Sequence, residues 1–168
     1  QGYNYIDTAE DFESLDSDQK YVANLSSYLY EWNQSNLNYP SLITKVLNYL
    51  DNENGFFLMI ENGFIDGYSH NKNFLGAMDE VKYYAAMIDA VYAFCADRDD
   101  TVVIITSDHE TGGLTLPEEG TKLNEWDIEK LNGLYTTESH TSANVKLFIR
   151  FTTPQVARNY KDVIDNTD

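Results

Sequence analysis

Basic residues are scarce in this chain. It carries 11 Lys and Arg against 28 Asp and Glu, a formal net charge of −17 over 168 residues. Cations this few and this scattered cannot track a phosphate backbone, so no nucleic-acid partner is expected. The same acidity repels anionic membrane surfaces. An anionic ligand would need something other than Lys and Arg to neutralise it, and a bound divalent metal does so by inverting the local potential. Cysteine is nearly absent. Cys95 stands alone, which excludes an internal disulfide and any multi-cysteine zinc site. It reads as a small buried apolar residue. No apolar run approaches the length of a membrane span, so none is expected. No basic-plus-apolar leader opens the chain, and no repeat or low-complexity linker interrupts it. A sequence that begins QGYNY, without Met, is expected to be trimmed or part of something longer.

What remains has a globular composition, 42% apolar and 23% charged, and is long enough to build one hydrophobic core. GYNYI (2–6) alternates. Thr8, with Asp11 three residues later, resembles a capping box and starts a short helix. KYVANL (20–25) fits a strand, and the Asn-, Ser- and Tyr-rich stretch 26–40 reads as a loop. Pro40-Ser41 opens a helix with a wide stripe of Leu42, Ile43, Val46, Leu47, Tyr49 and Leu50. DNENG ends it, with Gly55 suited to a left-handed cap. FFLMI (56–60) and TVVIITS (101–107) are unbroken apolar runs, the pattern of strands covered on both faces. Between them a long helix is expected, its stripe formed by Leu75, Met78, Val81, Ala85, Ile88, Val91, Tyr92 and Cys95. VKLFIRF (145–151) alternates as a less buried strand, and TPQVARNYKDVID (153–165) closes the chain as a helix. Strands and helices alternate. The expected class is therefore α/β, a largely parallel sheet flanked by helices, with residues 1–168 forming a single unit.

In such sheets ligands collect beyond the carboxyl ends of the strands. Glu61, Asp66 and His70 follow FFLMI. Asp108, His109 and Glu110 follow TVVIITS. Glu138 and His140 precede VKLFIRF. The chain has three histidines, and each stands within a few residues of a carboxylate at a strand edge. Imidazole and carboxylate together are zinc ligands. Asp66 and His70 are four residues apart, so one helical turn brings both to one ion. Asp108 and His109 are adjacent, so the backbone must turn for both to reach one site, and Gly112 and Gly113 leave room for that. Ser107 lacks a Gly-x-Ser-x-Gly elbow and reads as structural. Glu110 and Glu138 read as solvated or supporting carboxylates.

GFFLMIENGFIDGYSH (55–70) and TVVIITSDHETGGL (101–114) closely resemble the metal-site segments of alkaline phosphatases. ESHTSANVKLF (138–148) is similar to the later histidine segment of that family, and PSLITKVLNYLDNENGFFLM (40–59) to the helix and strand before the first motif. The resemblance spans about residues 40 to 151 and rests on three ordered motifs. It implies an alkaline-phosphatase-like fold and a zinc-dependent phosphate monoester hydrolase. Asp66, His70 and His140 would hold one zinc, Asp108 and His109 the second, and Glu61 a magnesium. The intact enzyme would thus carry two Zn2+ and one Mg2+, working as a two-metal site on a phosphate monoester substrate. The family is mostly periplasmic or secreted, and the parent is expected to be a homodimer.

Several family features are missing. No Asp-Ser-Ala segment is present to supply the nucleophilic serine, so no catalytic nucleophile is assigned. The aspartate shared between the second zinc and magnesium, a further magnesium ligand and the phosphate-binding arginine have no counterpart either. Gly67, Tyr68 and Ser69 fill the gap between Asp66 and His70, where the family often places a charged side chain that tunes phosphate binding. The chain therefore resembles the carboxyl-terminal half of such an enzyme, a partial domain expected to be inactive without the amino-terminal half and to hold one Zn2+ by itself. Two other readings stay open: a phosphomutase or sulfatase type of two-metal enzyme, and a non-catalytic acidic metal-binding domain. Half of a sheet leaves an unpaired edge, and such edges pair with whatever is available. Self-association is the expected outcome, visible in light scattering at high concentration; a clean monomer there contradicts it.

Overall fold

The computed structural model describes residues 2–16, 18–24 and 39–154. The described chain divides into two compact units, residues 1–60 with 85–94, and residues 61–84 with 95–168.

In the first unit, β1 (Asn4–Ile6) and β2 (Tyr21–Ala23) pair in parallel, with Ile6 opposite Ala23. The intervening segment contains α1 (Ala9–Glu13), and its start is chemically specified. Thr8 Oγ1 accepts the Asp11 N–H at 3.0 Å and donates to the Asp11 carboxylate at 2.6 Å. One hydroxyl thus satisfies an orphan amide of the first turn and fixes the acid that follows it. The second helix, α2 (Tyr39–Leu50), buries Ile43 and Leu47, one turn apart. Leu42 and Val46 lie against the buried pair Ile6 and Phe12, together with Leu15 and Tyr21. The expected stripe is therefore the observed one. Gly55 ends the turn after α2 at φ +73°, its N–H on Asn52 O at 3.1 Å.

The second unit holds α3 (Phe64–His70) and the first half of α4 (Phe74–Phe94). Two antiparallel ladders follow. β3 (Val102–Ile105) pairs with β6 (Phe148–Phe151), and β4 (Glu110–Thr111) pairs with β5 (His140–Thr141). A short 3-10 turn (Leu123–Glu125) leads to α5 (Ile128–Asn132), capped by Asp127, whose carboxylate accepts the Lys130 N–H at 2.8 Å. The core of this unit is Phe74, Leu131 and Tyr135, packed by Met78, Leu114, Leu123, Trp126 and Leu134.

The α/β class stands, but four details differ from expectation. Among the described residues the pairing is one parallel and two antiparallel ladders of two strands each, in place of one largely parallel sheet. The run 56–60 enters no strand, and Phe57 is 88% exposed. An apolar run becomes a strand only where a neighbour takes its backbone hydrogen bonds, and none does so among the described residues. TVVIITS is a strand but is not fully buried, since Ile104 is 61% exposed. Finally, α4 buries Phe74, Ala77 and Met87 while Leu75 and Val81 are exposed. This helix is apolar on more than one side, so spacing alone offers competing faces. The loop expected at 26–40 and the helix at 153–165 fall almost wholly outside the described residues. No helix among the described residues is long and apolar enough to cross a membrane.

Phe12 is the largest side chain of the first core and is 3% exposed. Phe12→Ala is expected to lower unfolding stability by about 3–5 kcal/mol, read by urea denaturation. A loss under about 1 kcal/mol would show that this cluster does not hold the unit together.

Candidate metal centre

All three histidines of the chain meet in the second unit. The helix α3 places Asp66 and His70 one turn apart. The chain then leaves through Asn71 and Lys72, the latter at φ +52°. Asn73 N–H returns to Tyr68 O at 2.9 Å, which closes α3 against the start of α4. His140 arrives on β5 and His109 lies immediately before β4. In that ladder Thr111 faces His140 and Glu110 faces Thr141.

The donor atoms converge closely. His70 Nε2 is 3.1 Å from His140 Nε2 and 3.3 Å from Asp66 Oδ1. His140 Nε2 is 3.4 Å from the same oxygen. These three separations form a nearly equilateral triangle. Ligands about 2.0–2.1 Å from a tetrahedral zinc stand roughly 3.3 Å from each other, so the donors fit one face of such a site. His70 Nδ1 lies 2.6 Å from Glu138 O. A carbonyl only accepts, so Nδ1 carries the proton and Nε2 presents its lone pair toward the triangle. Thr111 Oγ1 donates to Asp66 Oδ1 at 2.5 Å and lies 3.2 Å from His109 Nδ1. The Thr111 hydrogen bond, aided by the nearby imidazoles, holds the Asp66 carboxyl below its ordinary range. The same hydrogen bond fixes which way the carboxylate faces.

Asp66, His109 and His140 also form a compact group, with one donor atom from each within 4.8 Å of the others. His109 and His140 are stacked, however, with ring centroids 3.5 Å apart and 23° between planes. An imidazole binds an ion in its own ring plane, and two nearly parallel planes do not meet at one nearby point. His70 and His140, inclined at 39° with centroids 4.9 Å apart, are better placed to share an ion. His109 instead pairs its Nε2 with Asp108 Oδ2 at 3.3 Å. The Asp108 side chain is 84% exposed and its Oδ1 accepts the His109 N–H at 3.1 Å. Glu61 is exposed, lies ahead of α3 and is not in the compact group. The structure therefore brings Asp66, His70, His109 and His140 together, sets Asp108 beside them, and leaves Glu61 apart from that group.

Sequence reasoning did not single out Thr111, and it undervalued Glu110. Glu110 Oε2 accepts from Gly113 N at 3.2 Å and from Thr141 Oγ1, and its Oε1 accepts from Leu114 N at 3.1 Å. Burial alone would raise this carboxyl, but the Thr141 hydroxyl and the two amides outweigh it and hold it below its ordinary value. The spacing of Glu110 to Gly113 and Leu114, an acceptor three and four residues ahead of free amides, is the signal that marks such a turn. Ser107 is structural, its hydroxyl donating to His109 O at 2.7 Å.

Gly112 allows the turn to approach α3. Its φ is +90°, and a Cβ there would lie 2.5 Å from Tyr135 Cδ1 and 3.2 Å from Ser69 O. Tyr135 is buried and Ser69 stands beside His70, so neither neighbour yields freely. Gly120 has a similar φ of +87° with nothing near it. Both Gly112→Ala and Gly120→Ala carry backbone strain, but Gly112→Ala is expected to cost clearly more, over about 1 kcal/mol, in urea unfolding. Equal costs would deny the close approach.

The family profile described as alkaline phosphatase matches residues 1–148. Alkaline phosphatase 4 of Bacillus subtilis (strain 168) is 38% identical over 96 residues, which cover 55% of this chain and 20% of that protein. A cold-active alkaline phosphatase from Shewanella sp. has the same fold at TM-score 0.69 and 20% identity, over 89% of this chain and 54% of that one. A TAB5 alkaline phosphatase mutant with Mg bound in its M3 site is 26% identical at TM-score 0.69, over 89% of this chain and 46% of that one. The chain thus spans about half the length of these solved relatives and a smaller share of the curated ones. With the family profile matched over most of its length, the chain belongs to the alkaline phosphatase family.

Proposed function

We propose that the chain forms the metal-binding part of a zinc-dependent phosphate monoester hydrolase, acting within a longer protein. The observation that carries this reading is the triangle of Asp66 Oδ1, His70 Nε2 and His140 Nε2, with sides of 3.1, 3.3 and 3.4 Å. Asp66, His70 and His140 would hold one zinc. His109 and Asp108 would hold a second, and Glu61 would serve a magnesium. The metals supply positive charge that neutralises phosphate oxygens during an in-line displacement.

The residues of this chain prepare that charge. The Glu138 carbonyl fixes the His70 tautomer, so no proton has to move before Nε2 binds a cation. Thr111 orients the Asp66 carboxylate. The surplus of 17 negative charges would repel a phosphate monoester at long range. Local neutralisation at the histidine cluster is therefore essential to substrate binding. No Asp-Ser-Ala segment occurs in the 168 residues, so the nucleophile is assigned to the remainder of the longer protein. We place the parent enzyme in the periplasm or outside the cell, as a homodimer, in keeping with its family.

Zinc titration of the 168-residue chain tests this reading. Wild type is expected to take up about one equivalent tightly. His140→Ala should abolish that uptake, and Asp108→Ala should weaken it far less. A wild-type chain that takes up no zinc contradicts the reading, as does a His140→Ala chain that binds like wild type.

A further inference from the structure

The β4–β5 ladder has two faces with different chemistry. Thr111 and His140 are register partners on one face, and Thr111 Oγ1 reaches Asp66 and His109 from there. Glu110 and Thr141 are register partners on the other. Side chains alternate along a strand, so the Thr111 and His140 side chains that meet α3 depend on this register. A slip of one residue would turn His140 to the opposite face. The ladder is only two residues long on each side, so few bonds hold its register.

We propose that Glu110 is a positioning residue, and that its contact with Thr141 locks the register that puts His109 and His140 side by side. Its carboxylate gathers three donors: Thr141 Oγ1 from β5, and the amides of Gly113 and Leu114 from the turn after β4. A carboxylate with these partners satisfies turn amides and ties the turn to the facing strand at once. The ladder is extended by Gly112 N–H on Ser139 O at 3.0 Å, and by Thr136 and Thr137 N–H on Gly112 O at 2.9 and 3.0 Å. These main-chain bonds favour the same register, and the Glu110–Thr141 pair ties it from the side chains as well. Glu110 touches no metal donor itself; its effect reaches the cluster through the backbone of its neighbours. The functional value of this lock rests on the metal reading above, while the lock itself does not require a metal.

The test is NMR of the metal-free 168-residue chain, with zinc titration beside it, for wild type, Glu110→Ala, Thr141→Val and Thr141→Ser. Wild type and Thr141→Ser should show contacts between the His109 and His140 rings and between Thr111 and His140. Glu110→Ala and Thr141→Val should lose them while β3 and β6 keep their resonances. Zinc affinity should fall about 10–100-fold in those two variants and return in Thr141→Ser. If Glu110→Ala does not fold, Thr141→Val carries the test, since it removes one hydroxyl and keeps the branched shape. Ring contacts that persist in Thr141→Val overturn the proposal, as does a lower stability with contacts and affinity unchanged. Wild-type ring contacts without zinc uptake would sink the metal reading, and the variants would still decide the register.

Discussion

One oxygen atom organises this site. Asp66 Oδ1 receives the Thr111 hydroxyl at 2.5 Å and stands 3.3 and 3.4 Å from the Nε2 atoms of His70 and His140. Three segments far apart in sequence must meet there. Closing loops of such length costs entropy that grows slowly, about 0.6 kcal/mol per doubling. The harder constraint is electrostatic. Lone pairs crowded at roughly 3.3 Å repel one another unless a cation or protons intervene. The arrangement therefore demands a rigid support and strongly favours the arrival of a positive charge.

The support is apolar and lies close by. Phe74, Leu131 and Tyr135 form the buried core of the unit that holds the histidines. Tyr135 also places its hydroxyl 3.4 Å from Ser69 Oγ and its ring against Gly112. The same aromatic thus braces α3, which presents Asp66 and His70, and the turn that follows His109. Phe74 is fixed from another side, its N–H on Asn132 Oδ1 at 3.1 Å. Close-packed side chains transmit small displacements, so the donor triangle depends on this core as well as on its own hydrogen bonds.

Much of this was legible before any coordinates. The Thr8 cap, the stripe of α2 and the Gly55 turn follow from local rules and were read correctly. The pairing of each histidine with a nearby acid identified the segments that meet. The alternation of α4 was not decisive, because Leu75 and Phe74 are equally apolar and only tertiary packing selects between faces. FFLMI and TVVIITS read as buried because an apolar run says nothing about whether a neighbour exists to cover it. The direction of each ladder needs its partner as well, since direction is a property of the partner as much as of the strand. Thr111 escaped notice because its role depends on register with β5, a relation across 29 residues that no short window contains.

The His70 tautomer is set by a main-chain carbonyl, Glu138 O at 2.6 Å. The orientation of Asp66 leans on a side-chain hydroxyl, Thr111. These two devices differ in mutational robustness. Any residue that preserves the backbone path at position 138 leaves the acceptor for His70 in place, whatever side chain it brings. The exposed Glu138 carboxylate is therefore free to drift without altering that ligand. Position 111 has no such freedom, since only a hydroxyl-bearing or similarly donating side chain can serve Asp66. Neutral variation should accordingly accumulate at position 138 and be filtered at position 111, an asymmetry set by which partner is backbone and which is not.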